Sequence, residues 1–290
     1  MDALPDGSRF PRPARGFTLI EIVVVLFILG VAITMAAAIT NALTASQRLS
    51  TTTARMQAID AALVQFVMQQ KRLPCPADGA LASTNAGAGA EGVRNAAGCT
   101  GNEAGGVVPW RSLGLSEQDA TDGWNHRFTY RIPVALAADS ALDMSWCDPA
   151  GTEGGATPRA CNTSCTSSSL SVCTPPTAFL ATRGLQVRNV AGTVIMDPAN
   201  APYTGAAYVV ISAGPSGGGA YLYSGQLSTS TTTDGTEEAK NYANLALGAY
   251  YVDDSISDGA GAATHFDDIV SRPALLTVIN KAGLGPRAHT

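Results

Sequence analysis

Between Phe17 and Thr40 the chain reads FTLIEIVVVLFILGVAITMAAAIT, 24 residues that carry a single charge, at Glu21. As an α-helix this run is about 36 Å long at ~1.5 Å per residue, enough to cross the ~30 Å hydrocarbon core of a bilayer. The remainder of the 290-residue chain has no second apolar run of this length. The sequence therefore predicts one membrane-spanning helix over residues 17–40.

The charges around this run predict its orientation. Arg9, Arg12 and Arg15 precede it, and the next basic residue is Arg48. Because basic residues flanking a membrane helix stay in the cytoplasm, residues 1–16 should be cytoplasmic and the rest of the chain exported.

Two other interpretations of the apolar run explain it less well. A cleaved secretory signal has a shorter apolar stretch of ~7–15 residues. A plain membrane anchor leaves Glu21 unexplained, since a carboxylate in a membrane helix usually marks function.

The residues around the start of the run carry a family signature. The sequence Arg15-Gly-Phe-Thr-Leu-Ile-Glu21 resembles the prepilin signal of type IV pilins and type II secretion pseudopilins. The resemblance implies that prepilin peptidase removes a leader of residues 1–16 by cutting between Gly16 and Phe17, and then N-methylates Phe17. It further implies that Glu21 acts in assembly by pairing with a charged N-terminal amine, its own or a neighbouring subunit's.

The same resemblance implies a location and a set of partners. The precursor would be a single-pass protein of the bacterial inner membrane with its head in the periplasm. The mature subunit would then enter a periplasmic pseudopilus or an extracellular pilus. Its partners would be prepilin peptidase, other pilins or pseudopilins, the inner-membrane assembly platform, and membrane lipid before assembly.

The helix is predicted to continue beyond the membrane as an amphipathic segment over residues 41–73. Neither Pro nor Gly occurs from Asn41 to Arg72, and Pro74 ends the element. Helical spacing places an apolar stripe on one face, made of Leu49, Met56, Ile59, Leu63, Phe66 and Val67. Ser50 to Thr53 form helices weakly, so two helices with a break near Thr51–Thr53 remain an alternative.

Residues 74–290 are predicted to form an exported head. Short apolar stretches there alternate with Gly, Pro, Ser and Asn clusters, which is typical of strands and loops. The predicted class is α+β, with the long helix packed on an antiparallel sheet and disulfide-rich loops. The strand candidates are Phe128–Val134, Gly184–Val190, Thr193–Met196 and Ala207–Ser212, with Ala220–Tyr223 and Ala249–Val252 weaker, and residues 273–280 are a candidate short helix.

The six cysteines all lie in the portion predicted to be exported. An even number of cysteines in an oxidising compartment indicates disulfides. Cys75 and Cys99 are expected to pair, and the other four allow three pairings. A four-cysteine zinc site is the alternative. The four remaining cysteines are Cys147, Cys161, Cys165 and Cys173.

A second resemblance bears on metal binding. The segment from Asp122 to Tyr130 is similar to the Asp-x-Trp segment of the major pseudopilin, and Ser212-Ala-Gly with Asp267-Asp268-Ile is similar to its calcium loop. The resemblance implies calcium candidates at Asp267 and Asp268, although Ser216 stands where that family has an aspartate. Because calcium prefers several carboxylate oxygens, Asp234 or Glu237 is a further candidate. No other cofactor is expected.

Composition and motifs narrow the function class. With only 14% charged residues and a net charge of −5, the chain is not a basic nucleic-acid binder. Gly214-Pro-Ser216-Gly-Gly218 has the spacing of a nucleophile elbow, but no helix pattern follows it, so no enzyme is predicted. The expected function is a structural filament subunit, a minor pilin or pseudopilin. The alternatives are a filament-tip adhesin using the Cys- and Ser/Thr-rich residues 147–178, and an exported enzyme anchored by the helix.

Overall fold

A computed structural model describes residues 18–101, 106–152, 160–228, 235–257 and 265–289. The chain divides into a first unit that ends at Gln47 and a second that begins at Arg48. The long helix α1 spans Leu19–Gln70. Its residues up to Gln47 belong to the first unit, and its residues from Arg48 onward are the first element of the second unit. Gly16 and Phe17 lie outside the described residues.

In the first unit, α1 presents apolar side chains on every face. Those of Leu19, Phe27 and Met35, for example, are 81%, 72% and 62% exposed. Among the described residues, α1 alone is long and apolar enough to cross a membrane. A helix that is apolar all round requires burial by lipid or by other proteins.

In the second unit, α1 continues without a break through the threonine-rich stretch. The hydroxyls of Thr52 and Thr53 donate to the carbonyls four residues earlier, of Arg48 and Leu49, at 2.8 and 3.0 Å. These bonds satisfy the hydroxyls inside the helix, so the two-helix alternative is wrong. The helix ends at Gln70, three residues before the predicted boundary, because Lys71 adopts a left-handed conformation with φ of 58°.

A mainly antiparallel head follows α1. Within the described residues the largest sheet has five strands in the order β1-β4-β5-β8-β10, all antiparallel. A smaller sheet has the order β7-β6-β9, in which β6 and β9 run parallel, and β2 pairs with β3. The strands are β1 Ala77–Asp78, β2 Arg94–Asn95, β3 Gly98–Cys99, β4 Gly106–Val107, β5 Thr129–Arg131, β6 Val187–Arg188, β7 Val194–Met196, β8 Val209–Ser212, β9 Tyr251–Val252 and β10 Ile269–Ser271.

Short helical elements fill the connections. The α-helices are α2 Pro176–Leu180 and α3 Leu275–Lys281, and the 3-10 turns are Val134–Ala137, Leu170–Val172 and Glu238–Asn241. The strand prediction over Ala220–Tyr223 is wrong, because Tyr221 there forms only isolated bridges, to Arg127 and to Leu227. The predicted strand Gly184–Val190 is too long, since β6 covers only Val187–Arg188 within it.

The core lies between the second half of α1, the five-stranded sheet and α3. Four residues of the predicted stripe are buried in it, namely Met56, Ile59, Leu63 and Val67. They share one cluster with Tyr130 and Val210 of the sheet and with Val278 and Ile279 of α3. The predicted α+β class, with the helix on an antiparallel sheet and disulfides in the loops, is confirmed.

Candidate functional site

The first turn of α1 is closed by a reciprocal pair of side chains. The backbone N–H and the hydroxyl of Thr18 donate to Oε2 of Glu21 at 2.9 and 3.0 Å, and the Glu21 N–H donates back to the Thr18 hydroxyl at 3.3 Å. This is a capping box, which satisfies N–H groups that a helix start leaves without partners. Glu21 therefore has a local role within its own helix as well as the assembly role that the sequence predicts.

In the second unit, a tight turn docks on α1. The Gly123 N–H donates to Oγ1 of Thr52 at 2.9 Å, and Nη1 of Arg55 donates to the carbonyls of Thr121 and Asp122 at 2.9 and 3.1 Å. A side chain at Gly123 would collide with the backbone of Arg48, since its Cβ would lie 2.5 Å from the Arg48 carbonyl oxygen. Only glycine permits this close approach.

Asp122 organises the turn from within. Its Oδ1 accepts the N–H groups of Trp124 and His126 at 2.9 and 2.8 Å, and its Oδ2 accepts the Ser212 hydroxyl at 2.7 Å. Asp122 is fully buried, so these three bonds supply the partners that a buried carboxylate requires. The segment chosen in the sequence for its resemblance thus connects β8 to the helix.

All six cysteines lie in the described residues and are paired. Cys75 is joined to Cys99, Cys147 to Cys161, and Cys165 to Cys173, and no cysteine is free. Paired cysteines offer no thiolate, so a four-cysteine zinc site is not formed. Asp148 lies near Cys165 and Cys173 but, with both sulfurs in a disulfide, this group is not a metal site.

A second cluster of polar side chains lies between the 214–218 loop, the 3-10 turn at Glu238 and the approach to β10. The side chains of Glu238, His265 and Asp267 bring one ligand atom each within 4.8 Å of one another. Nδ1 of His265 is 2.9 Å from Oε2 of Glu238. Ser216 donates both its N–H and its hydroxyl to the Asp267 carboxylate, at 2.8 and 3.0 Å.

Burial shapes the electrostatics of this cluster. Glu238 and Asp267 are only 1% and 3% exposed. Burial raises the pKa of Asp267 to about 6, with a further contribution from the neighbouring Glu238 carboxylate and against the opposing effect of the Ser216 N–H. A positive charge in contact with both buried carboxylates, either a proton or a metal ion, therefore stabilises the pair.

The three side chains of the cluster differ from the oxygen-only ligand set of the calcium ion that the resemblance implies. Calcium takes six to eight oxygen ligands. Here two carboxylates meet an imidazole nitrogen, and Ser216 replaces the expected aspartate. Oδ2 of Asp268 accepts the Asn241 amide at 2.8 Å, and Asp268 is not a member of the cluster. The third sequence candidate, Asp234, lies outside the described residues.

Sequence reasoning missed three contributors to these sites. Thr52 lies in the stretch that is predicted to form a helix only weakly, and Glu238 and His265 belong to no site that the sequence predicts. Thr52 has a readable signal, because it lies four residues before Met56 and so on the buried face of the helix. Glu238 and His265 are 27 residues apart and share no spacing motif.

The comparisons with known proteins agree with the start of the chain. Residues 11–37 match the family model described as the prokaryotic N-terminal methylation motif. This is the prepilin-type signal of type IV pilins and pseudopilins, so the resemblance of Arg15–Glu21 is confirmed, and the chain carries the motif of a pilin-like precursor. No curated protein and no solved structure matches the chain.

Proposed function

We propose that this pilin-like precursor is a structural subunit of a type IV pilus or a type II secretion pseudopilus, most simply a minor one. Prepilin peptidase cuts between Gly16 and Phe17 and methylates Phe17. The assembly platform in the inner membrane then draws the subunit from the lipid into the filament. The methylation motif over residues 11–37 and the apolar helix support a membrane-anchored structural protein.

The proposal rests on one observation: the N-terminal part of α1 is exposed on every side and carries a single charge. Each described side chain of residues 18–37 is exposed, and Glu21 is the single ionisable group from Phe17 to Thr40. Such a surface is stable in lipid, and it is also stable against the apolar helices of other subunits in a filament core. Exchange between the two environments requires no change in the fold of the helix.

Glu21 sets the axial position of the subunit when it moves from the lipid into the filament. Cleavage creates a charged amine at Phe17, four residues away, and methylation leaves it charged. A carboxylate in an apolar filament core requires a positive partner. In the filament, the N-terminal amine of a neighbouring subunit meets the Glu21 carboxylate and fixes the axial position of the subunit.

The capping box makes it possible to separate the charge of Glu21 from its local role. Glu21→Gln removes the charge and keeps a side chain that closes a capping box with Thr18. Thr18→Ala removes the cap and keeps the charge. We expect Glu21→Gln to abolish incorporation into sheared filaments, and Thr18→Ala to leave incorporation near the wild-type amount, since an N-cap contributes only ~1 kcal/mol.

Two measurements are needed for each variant in cells that make the filament. Mass spectrometry of the membrane-bound protein reports processing, and immunoblots of sheared filaments report assembly. We expect N-methylated Phe17 at the terminus in the wild type and in both variants. Wild-type incorporation of Glu21→Gln would refute the charge-pairing mechanism, and an unprocessed N-terminus in the wild type would refute the pilin-like function itself.

A clean deletion separates the two machines. Loss of pili or of twitching with normal exoprotein release assigns the subunit to a pilus. The opposite result assigns it to a secretion system.

A further inference from the structure

The cluster of Glu238, His265 and Asp267 brings together two segments that are distant in the chain. Glu238 begins a 3-10 turn, and His265 and Asp267 precede β10. Their ligand atoms lie within 4.8 Å of one another. One metal ion held by these three side chains would link the turn at Glu238 to the residues that lead into the five-stranded sheet.

The chemistry of the three donors distinguishes between metals. An imidazole with two carboxylates is a set that zinc accepts, with three protein ligands and a fourth position left for water. Calcium and magnesium prefer oxygen throughout, and an imidazole nitrogen is a poor ligand for either. His265 is therefore the residue that decides between these classes.

The carboxylates are held in place by bonds from outside the cluster. Asp267 accepts the N–H and the hydroxyl of Ser216. Glu238 accepts the N–H of Gly235 at 3.0 Å and the N–H of Asp267 at 2.7 Å. Each oxygen that accepts one such bond retains a second lone pair, and hydrogen-bonded carboxylates of this kind are typical around metal ligands.

Charge also favours an ion. Glu238 and Asp267 are almost completely buried, and two adjacent carboxylates there carry a formal charge of −2 when ionised. A divalent cation would neutralise both carboxylates at once. This matters because removing a carboxylate from water is costly unless a positive charge lies beside it.

We propose that Glu238, His265 and Asp267 form a site for a zinc ion, at the place where the family resemblance implies calcium. When the ion binds, the proton between Nδ1 of His265 and Oε2 of Glu238 is released to solvent, and Nδ1 coordinates the metal as the neutral imidazole. The remaining ring N–H is on Nε2. The bound ion joins the turn at Glu238 to the approach to β10.

Metal titrations of the full chain in detergent, after removal of metals by chelation, test this proposal. We expect one zinc ion per chain by calorimetry and elemental analysis, and a rise in melting temperature with zinc that equal concentrations of calcium or magnesium do not produce. Cobalt substitution of the wild type should give the intense visible absorption of a four-coordinate site, a result that depends on no variant.

Two pairs of variants identify the ligands. His265→Gln and Asp267→Asn should each weaken zinc binding by more than about 100-fold, beyond the 10–100-fold typical of an outer-shell partner. The matched controls are His289→Gln, a histidine outside the cluster, and Asp268→Asn, the neighbouring acid bound by Asn241. Both controls should retain wild-type affinity for zinc.

Several results would overturn the proposal. Stabilisation by calcium but not by zinc would show that the family's metal is retained with different ligands. Undiminished zinc binding in His265→Gln, or no binding of any of the three metals by the wild type, would show that the cluster is a hydrogen-bonded network only. The site is independent of the proposed filament function, so either can fail alone.

Discussion

Replacing Thr52 by valine tests whether the turn at Gly123 holds α1 against the head. Thr52 is fully buried, and its Oγ1 accepts the Gly123 N–H at 2.9 Å while donating to the Arg48 carbonyl at 2.8 Å. Valine has nearly the same shape and a similar helix propensity. The substitution therefore removes the hydroxyl with little change in packing and leaves the Gly123 N–H without its partner.

The expected cost follows from that unpaired N–H. Gly123 is half-buried and its N–H faces the fully buried Thr52. Leaving a donor without a partner in such a place costs about 1–3 kcal/mol. For a domain of roughly 150–250 residues, each kcal/mol lowers the melting temperature by about 2–4 °C. Thr52→Val should therefore melt about 2–12 °C below the wild type. Thr52→Ser, which keeps the hydroxyl, should recover much of the difference.

A neighbouring threonine provides the control. Thr53 makes the same bond to the carbonyl four residues earlier, at 3.0 Å, but it is exposed. Thr53→Val should change stability by no more than about 0.5 kcal/mol, as is usual at exposed positions. Near-UV circular dichroism of the full chain in detergent gives the melting curves. Equal melting temperatures for Thr52→Val and Thr53→Val would refute the docking argument.

Two further predictions concern the same unit. Burial raises the pKa of Asp60 above its usual range, even though Ser271 and Tyr208 donate to its carboxylate. The stabilisation from its bound proton is therefore fully present below the usual value near 4 and is lost as pH rises through the higher folded-state pKa. Wild-type melting temperatures should accordingly fall relative to those of Asp60→Asn as pH rises from 4 to 7, whereas parallel curves would contradict the burial argument. Cys75→Ser with Cys99→Ser opens a loop with a sequence separation of 24 and should cost about 3–4 kcal/mol by loop entropy, measured by denaturant unfolding; no change in the unfolding midpoint would contradict this reasoning.

The sequence predicted the parts of the fold that follow from local periodicity. The apolar run and the stripe from Met56 to Val67 fix α1 and its buried face, because a helix repeats every 3.6 residues whatever lies beside it. The pairing of Ile269–Ser271 with β8 was missed for the opposite reason. These three residues are only half-buried, and their place at the sheet edge is set by a partner strand nearly 60 positions earlier.

Long-range polar contacts were the least accessible to sequence reasoning. Thr52 and Gly123 are 71 residues apart, and neither residue type predicts a buried contact. The cluster at Glu238 depends on folding that brings together residues with no fixed spacing. The disulfides are intermediate, since cysteine chemistry restricts the last four residues to three pairings and the fold selects the pairing of neighbours in sequence.

The end of α1 has a mechanical consequence. Past Gln70, Arg72 forms a two-pronged ion pair with Glu91, at 2.5 and 3.1 Å, and Glu91 also accepts the N–H of Cys75 at 2.9 Å. A pull along the helix backbone reaches Cys75 within five residues and passes through its sulfur bond into Cys99. Hydrogen bonds and ion pairs yield to forces that leave a covalent bond intact. The disulfide therefore bypasses the segment between the two cysteines, which is not extended under tension that would separate the strands of the sheet.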